Sequence, residues 1–391
     1  MSTHQVDPDN ARRLRRALAN DLSSRGCVPS APWREVFESV PRHVFIPRFF
    51  LDREHTGRYI SVEGSRPEHQ DEWLAAIYSD ETLITQLSGK DETWTADGTP
   101  TSSSTMPSLM ALMLEALDIR DGMNVLEIGT GTGYNAALLC ERLGPDHVTS
   151  VDIDPTLVNA ARRRLLSLGY APTVKALDGS LGYASNAPYD RIIATVSLSF
   201  IPRTWIEQSR WDSRILVNLY RDLGGGALAL LTVRDDRVEG NFLPDYGGFM
   251  PTRSENAPDA LKLLNAAQGT HGDSRSAILD GHVLNDPAFG FFAALRIPAR
   301  RIETHAEAGP RKFWLMSRDE SWAYQTTDAA GQRIAVQRGK RQLWDELEAV
   351  HTEWTALGQP PRSAFGLTVT RDGRHLLWHA RPDSTSWELM S

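Results

Sequence analysis

Two hydrophobic periods alternate through the middle of the chain. Between residues 122 and 234, short apolar runs of strand length are followed by stretches in which apolar residues recur every three to four positions. Strands are predicted at 124–128, 147–151, 173–177, 191–196, 214–219 and 227–233. Alternation of strands and helices at these spacings predicts an α/β fold with a doubly wound sheet, which binds its ligands at the carboxyl ends of its strands.

The N-terminal part has weaker patterns. Leu14, Leu18 and Leu22 form an apolar stripe that predicts a helix over residues 9–25, and a second helix is predicted after Pro32. Residues 52–71 are polar with little periodicity and predict a loop or insertion. We therefore expect residues 1–100 to form an N-terminal region of helices with a lid or insertion.

The character of the chain changes again after about residue 240. Residues 244–288 are rich in proline, glycine, asparagine and aspartate and predict a connection made mostly of loops. Strand-like runs follow, with a helix predicted over 341–357 and a hairpin at Asp372-Gly373. This pattern predicts a central α/β domain over residues 101–240 and a C-terminal α+β extension over residues 241–391.

Composition narrows the classes of function. The 391 residues are 41% hydrophobic and 24% charged, which is typical of a globular protein with more than one domain. A formal net charge of −8 disfavours nucleic acid as a partner. The two cysteines form no C-x-x-C pair and the histidines no H-E-x-x-H, so we expect no metal site. No secretory signal or apolar run of membrane-spanning length is present, which predicts a cytoplasmic protein without a membrane partner.

A glycine turn follows the first strand of the central domain. Gly129, Gly131 and Gly133 alternate with Thr130 and Thr132 between the strand and the next helix. Glycine at these places permits a sharp turn and lets a ligand approach the backbone closely. The spacing G-x-G-x-G differs from the G-x-G-x-x-G of dinucleotide dehydrogenases, which disfavours a nicotinamide oxidoreductase. A turn that needs positive φ and binds nothing remains an alternative.

Acidic residues stand at the ends of three successive strands. Asp152 after the second strand is placed to accept hydrogen bonds from both hydroxyls of a ribose, and Asp178 from the amino group of adenine. Glu127, next to the turn, is a candidate for orienting an ammonium group. Each aspartate taken alone is also a candidate helix cap. Together, the acids and the turn predict a site for a nucleoside without a pyrophosphate, for which S-adenosylmethionine is the best match.

A run of hydroxyl side chains precedes the central domain's first helix. Residues 101–105 read Thr-Ser-Ser-Ser-Thr, followed by Met106-Pro107 and an apolar helix pattern. Composition alone favours a solvated linker with a helix cap at its end. The alternative is that these hydroxyls and the helix N-terminus together hold an anion.

Motifs in order along the chain carry a resemblance to a known family. Residues 125–134, Val-Leu-Glu-Ile-Gly-Thr-Gly-Thr-Gly-Tyr, resemble motif I of class I S-adenosylmethionine-dependent methyltransferases. Residues 33–233 resemble the protein-L-isoaspartate O-methyltransferases more narrowly. The motifs that carry this second resemblance are Val40-Pro41-Arg42-His43-Val44-Phe45-Ile46-Pro47, Tyr78-Ser79-Asp80, Thr105-Met106-Pro107, Leu177-Asp178-Gly179-Ser180 and Ala187-Pro188-Tyr189-Asp190-Arg191-Ile192.

The resemblance implies a Rossmann-like methyltransferase fold with S-adenosyl-L-methionine as cofactor and S-adenosyl-L-homocysteine as product. The family's active-site serine falls on Thr105, and Ser103 and Ser104 are the alternatives for its role. The predicted cofactor-binding residues are Glu127, Gly129, Thr130, Gly131, Gly133, Asp152, Ile153, Asp178 and Gly179.

Two departures from the family pattern bear on the substrate. Threonine replaces the family's serine at residue 105, and the family's repair enzymes usually lack a C-terminal extension of this length. In both respects the chain is similar to variants that modify ribosomally made, macrocyclised peptides, with graspetides favoured over lanthipeptides. That similarity implies methylation of an aspartate side chain followed by aspartimide formation, with the extension recognising the peptide. Repair of isoaspartyl proteins is the alternative function, and an inactive S-adenosylmethionine-binding scaffold is a second; the oligomeric state is open.

Overall fold

The computed structural model describes residues 6–54, 56–88, 95–224, 226–252, 260–304 and 311–389. The chain divides into two compact units. Unit 1 comprises Met1–Val196 and Pro202–Leu216, and unit 2 comprises Ser197–Ile201 and Val217–Ser391. The three parts predicted from the sequence stay a prediction. Within unit 1, Leu83–Leu87 pair with Pro100–Ser104.

The described ranges contain α-helices along the whole chain. In chain order they are α1 (Pro8–Ser24), α2 (Ala31–Ser39), α3 (Arg42–Phe45), α4 (Gln70–Ile77), α5 (Pro107–Ala116), α6 (Tyr134–Leu143), α7 (Pro155–Ser167), α8 (Arg203–Glu207), α9 (Ala260–Ala267), α10 (Pro287–Arg296) and α11 (Leu343–Ala356). None of them has both the length and the hydropathy that a membrane span requires.

The described ranges of both units also contain strands. In chain order they are β1 (Arg48–Leu51), β2 (Arg58–Glu63), β3 (Leu83–Leu87), β4 (Thr95–Asp97), β5 (Pro100–Ser104), β6 (Val125–Ile128), β7 (Val148–Asp152), β8 (Thr173–Ala176), β9 (Tyr189–Leu198), β10 (Ser209–Tyr220), β11 (Gly226–Val233), β12 (Arg237–Phe242), β13 (Asp273–Ser276), β14 (Arg300–Thr304), β15 (Lys312–Met316), β16 (Trp322–Thr327), β17 (Arg333–Arg338), β18 (Phe365–Thr370), β19 (His375–His379) and β20 (Ser386–Glu388).

The parallel strands of unit 1 confirm the predicted α/β fold. Strand β6 pairs in parallel with β7 on one side and with β9 on the other, and β7 pairs with β8. All four residues of β6 are buried, as expected of a central parallel strand covered on both faces. The carboxyl ends of these strands share one edge, which brings the glycine turn and the acidic strand ends together.

A second, antiparallel sheet of unit 1 was not predicted. Its strand order is β4-β2-β1-β3-β5. The loop predicted over residues 52–71 is wrong for Arg58–Glu63, which pair with β1. The solvated linker favoured for the hydroxyl run is also wrong, since Pro100–Ser104 form β5 against β3. The strand was missed because its buried residues, Ser102 and Ser104, carry hydroxyls and leave no apolar alternation to read.

Unit 2 contains antiparallel sheets with helices. Strands β11, β12, β18, β19 and β20 are successive neighbours in one sheet, and a five-stranded sheet has the order β13-β17-β16-β15-β14. The predicted C-terminal helix is confirmed as α11, and the predicted hairpin as the pairing of β18 with β19. Helix α10 went unpredicted because its residues from Phe291 to Leu295 are all buried, so no polar face marks a helical period.

Candidate active site

The glycine turn joins β6 to α6 and is fixed by its backbone. Gly129, Gly131 and Gly133 all have positive φ, at 98°, 50° and 89°. A Cβ atom at Gly133 would lie 2.9 Å from the Cβ of Ala161, so both the backbone angle and the neighbouring helix require glycine there. The Gly129 amide donates to the Val151 carbonyl at 2.8 Å, which holds the turn against the end of β7.

Asp152 ends strand β7 directly beside this turn. Its Oδ2 accepts a hydrogen bond from the Gly131 amide at 2.9 Å, and its Oδ1 accepts one from the Asp154 amide at 3.0 Å. The next side chain, Ile153, is 42% exposed although it is apolar. A fixed carboxylate beside an exposed apolar side chain fits the ribose hydroxyls and the base face of an adenosine.

Asp178 and Gly179 lie at the end of the next strand, β8. Asp178 Oδ1 accepts a hydrogen bond from the Ser180 amide at 2.9 Å. This oxygen therefore caps a helical turn, which is the alternative role considered for Asp178 from the sequence. Within the described residues, no hydrogen-bond partner is found for Oδ2. A Cβ at Gly179 would lie 2.4 Å from Ile128 Cγ2, so the loop passes directly against the end of β6. Asp178 is thereby held at the same edge as the glycine turn.

Glu127 does not face this edge in the way the sequence suggested. Its side chain is fully buried, and its two oxygens accept hydrogen bonds from Asn135 Nδ2 at 2.8 Å and from the Ser150 hydroxyl. Burial raises the pKa of Glu127 to about 7, although both hydrogen bonds oppose the shift. Its contact with a ligand ammonium stays a prediction that this geometry does not favour.

Thr130 continues the same buried network. Its Oγ1 lies 2.6 Å from Ser150 Oγ, and its side chain is 4% exposed. The hydroxyl of Thr130 therefore bonds beneath the turn, and only its backbone is placed for the predicted cofactor contact.

The hydroxyl strand β5 runs beside the glycine turn. A Cβ atom built on Gly131 would lie 3.7 Å from both Ser102 Oγ and the Ser103 carbonyl oxygen. This closeness brings the hydroxyl run, predicted to bind the methyl acceptor, next to the glycine turn, predicted to bind the methyl donor. The two halves are inferred from separate stretches of sequence, and the fold brings them next to each other.

The three candidate hydroxyls differ in their surroundings. Ser104 is buried and its Oγ accepts from Arg42 Nη2 at 3.4 Å, so it is engaged inside the fold. Ser103 and Thr105 are partly exposed, and no side-chain hydrogen bond is found for either within the described ranges. These two are therefore better placed than Ser104 to bind an acceptor carboxylate.

The N-terminus of helix α5 is already occupied. The Ser108 amide donates to Asp80 Oδ1 at 2.8 Å, and the Met106 amide donates to Thr82 Oγ1 at 3.2 Å. The suggestion that free amides of this helix bind an anion together with the hydroxyl run is therefore not supported at these two positions, because protein side chains satisfy them.

Two residues that contact the candidate site were not predicted from the sequence. Arg42 was read only as part of a motif, yet it is fully buried and bonded to the Ser104–Thr105 segment. Thr195, in β9, donates from Oγ1 to the Gly129 carbonyl at 2.7 Å. The one available signal was the arginine within the Val-Pro-Arg motif. Among the residues that the structure describes, no cluster of three or more metal-ligating side chains is found.

Comparisons with known proteins agree with this geometry. The family described as "Protein-L-isoaspartate(D-aspartate) O-methyltransferase" matches residues 13–222. The protein-L-isoaspartate O-methyltransferase of Methanothermobacter thermautotrophicus is 35% identical over 210 residues, which cover 53% of this chain and 80% of that protein. The enzyme of the same name from Thermococcus sibiricus is 36% identical over 260 residues, which cover 64% of this chain and 98% of that one.

A solved structure extends the similarity of fold into unit 2. A chain titled "protein-L-isoaspartate O-methyltransferase" aligns with a TM-score of 0.53 and 21% identity, covering 94% of this chain and 100% of its own. At that identity the likeness concerns the fold alone.

Proposed function

Because the chain belongs to the protein-L-isoaspartate(D-aspartate) O-methyltransferase family, and is thereby an S-adenosyl-L-methionine-dependent carboxyl O-methyltransferase, we propose that its acceptor is an L-isoaspartyl carboxylate of a peptide or protein. The observation that carries the proposal is the closeness of Gly131 to the Ser102 hydroxyl and the Ser103 carbonyl oxygen, since a Cβ built on Gly131 would lie 3.7 Å from both. The isoaspartyl acceptor is favoured because the family and its relatives bear that name over the region that builds the site.

On the donor side, the proposed contacts follow from the positions of the strand ends. Asp152 accepts hydrogen bonds from the ribose hydroxyls, Ile153 covers one face of the adenine, and Asp178 Oδ2 accepts a hydrogen bond from the adenine amino group. The positive-φ backbone of Gly129–Gly133 lets the ligand approach closely. S-adenosyl-L-methionine supplies an electrophilic methyl group on a sulfonium.

On the acceptor side, the task of the protein is positioning. An aspartyl carboxylate is ionised near pH 7, so it attacks without a general base. The hydroxyl of Thr105, with Ser103 beside it, donates a hydrogen bond that orients the carboxylate without protonating it. No lysine occurs between Lys90 and Lys175, so no ammonium on this stretch over-stabilises the nucleophile. Orientation and exclusion of water are therefore expected to supply most of the rate enhancement.

A labelled methyl donor tests the proposed acceptor. The full-length protein is incubated with the donor and with either an L-isoaspartyl peptide or the same peptide carrying normal aspartate. We expect base-labile methyl ester on the isoaspartyl peptide only. A protein that binds S-adenosyl-L-homocysteine yet leaves the isoaspartyl peptide unlabelled contradicts the proposal.

A second candidate is methylation of an aspartate side chain in a ribosomally made, macrocyclised peptide, of graspetide or lanthipeptide type. The observation that favours it is Thr105, which stands where the family usually has serine. The next backbone nitrogen would then attack the ester carbonyl, and the methoxy group would leave as methanol with the amide proton, giving an aspartimide. Incubation with a macrocyclised Asp peptide tests it: ester or imide there, with none on the isoaspartyl peptide, selects this candidate.

A further inference from the structure

Arg42 is a buried hub between two segments of unit 1. It begins helix α3, and its side chain is fully buried. Its Nη1 donates to the carbonyls of Ile77 at 2.9 Å and Ser79 at 3.2 Å, and its Nη2 donates to the Glu81 carbonyl at 3.0 Å. Backbone carbonyls from the end of α4 and the turn that follows it therefore surround the guanidinium. Burial lowers the pKa of Arg42 to about 10, so the group stays cationic at neutral pH.

The same guanidinium holds the peptide units on both sides of Thr105. Nη2 donates to the Ser104 carbonyl at 3.4 Å and to the Thr105 carbonyl at 3.1 Å. Fixing the two carbonyls that flank one residue restricts its φ and ψ, and the backbone angles in turn restrict the side-chain rotamer. Arg42 thus bears on the direction of the Thr105 hydroxyl although it does not touch it.

The turn around Arg42 also binds the amides that follow Thr105. Thr82 Oγ1 accepts from the Met106 amide and Asp80 Oδ1 from the Ser108 amide. Arg25 Nη2 donates to the other oxygen of Asp80 at 2.6 Å. Residues 104–108 are therefore held through their carbonyls by Arg42 and through their amides by the turn that Arg42 organises.

Helix α3 reaches the glycine turn as well. The Phe45 ring lies 5.9 Å from the Tyr134 ring, centroid to centroid, and Arg42 Cζ lies 5.9 Å from the centre of the same Tyr134 ring. A Cβ on Gly133 would lie 3.6 Å from Phe45 Cδ1. One short helix thus contacts both the start of α6, where the donor turn ends, and the segment that carries the acceptor hydroxyl.

We propose that Arg42 is a positioning residue for methyl transfer, which fixes Thr105 relative to the glycine turn. The inference rests on the proposed function through the role of Thr105. Loss of the Arg42 side chain misaligns the methyl acceptor, while the donor side, built by Asp152 and the glycine turn, keeps its contacts. If Arg42 only stabilised the fold, its replacement would lower cofactor binding and methyl transfer together, and by the same factor with or without the Thr105 hydroxyl.

A double-mutant cycle tests the proposal. The variants are Arg42→Lys, Thr105→Ala and the combination, assayed for kcat and KM with whichever acceptor the wild-type protein methylates. We expect Arg42→Lys to lower kcat at least about tenfold, while the dissociation constant of S-adenosyl-L-homocysteine changes less than about threefold. The double variant should be no slower than the slower single variant, because both changes remove the same orientation. Losses in kcat that multiply, or an Arg42→Lys variant with wild-type kcat, overturn the proposal.

Ser104→Ala provides a second cycle in case Arg42→Lys fails to fold. It removes only one hydrogen bond of the guanidinium, so we expect a loss of a few fold in kcat that vanishes in the Thr105→Ala background. A loss that persists in that background shows a direct role of Ser104 and overturns the proposal. Failure of the wild-type protein to methylate either acceptor contradicts the proposed function and this inference together, whereas multiplicative losses in an active enzyme contradict this inference alone.

Discussion

Replacing Glu127 by glutamine should change how the stability of unit 1 depends on pH. Glu127 is fully buried, and burial raises its pKa from 4.5 to about 7. Because the folded-state pKa is raised, the protonated form is favoured by folding. The corresponding stability is fully present below pH 4.5 and is lost as the pH rises through 7. Glutamine cannot ionise, so the variant should lack this loss.

The magnitude follows from the two pKa values. With pKa values of 4.5 unfolded and 7 folded, the contribution of Glu127 falls by about 2 kcal/mol between pH 5.5 and pH 7.5. Glutamine also preserves the network, since its Nε2 can donate to Asn135 Oδ1, a buried atom without a hydrogen-bond partner, once the Asn135 amide rotates. The variant should therefore gain stability relative to wild type as the pH rises.

Hydrogen exchange measured by mass spectrometry on the peptide spanning β6 gives a local readout of this effect. The difference in opening free energy between Glu127→Gln and wild type should increase by about 2 kcal/mol from pH 5.5 to pH 7.5. Glu35→Gln, at an exposed position of α2, is the control for removing a carboxylate charge outside the peptide that spans β6. A constant difference for Glu127→Gln would refute the reasoning, because it would mean that the carboxyl carries the same charge in both states.

Three further substitutions test the site. Asp152→Asn should weaken S-adenosyl-L-homocysteine binding by about tenfold or more, because a charged hydrogen-bond acceptor is lost. Calorimetry measures the dissociation constant, and an unchanged value would exclude hydrogen bonding of Asp152 to the ribose. Thr105→Ala should lower kcat by about tenfold or more with little change in cofactor affinity, whereas Thr105→Ser should keep most of the activity. Equal losses of kcat in the two variants would show that the hydroxyl is not the group that matters. Gly133→Ala should destabilise the protein by about 1–3 kcal/mol, because its φ is +89° and its new Cβ would crowd Ala161, and an unchanged thermal midpoint would contradict that reading.

The donor half of the site could be predicted because its signals are local. Asp152 ends β7 and Asp178 follows β8, and these two strands pair in parallel, so sequence order translates directly into a shared sheet edge. Glu127 shows the limit of this reasoning. Its position at a strand end was correct, but whether its carboxylate faces the ligand or the interior depends on Asn135 and Ser150, which belong to other elements.

The acceptor half could not be predicted to the same extent because its order comes from distant partners. Strand β5 has no apolar alternation, and it forms a strand only because β3 lies beside it. An arginine such as Arg42 is ordinarily a surface residue, and nothing in its neighbours along the chain indicates that carbonyls from residues 77, 79 and 81 surround it. A functional role of the hydroxyl run stays a prediction, whereas the linker conformation predicted for it is wrong.

The most direct test of the central claim is the release of base-labile methyl label from peptide after incubation with labelled S-adenosyl-L-methionine. We expect label on the carboxylate of an L-isoaspartyl peptide with the wild-type protein, and transfer that is slower by about tenfold or more with Thr105→Ala at unchanged cofactor affinity. Wild-type protein that binds the cofactor but transfers no methyl group to any peptide carboxylate would contradict the central claim.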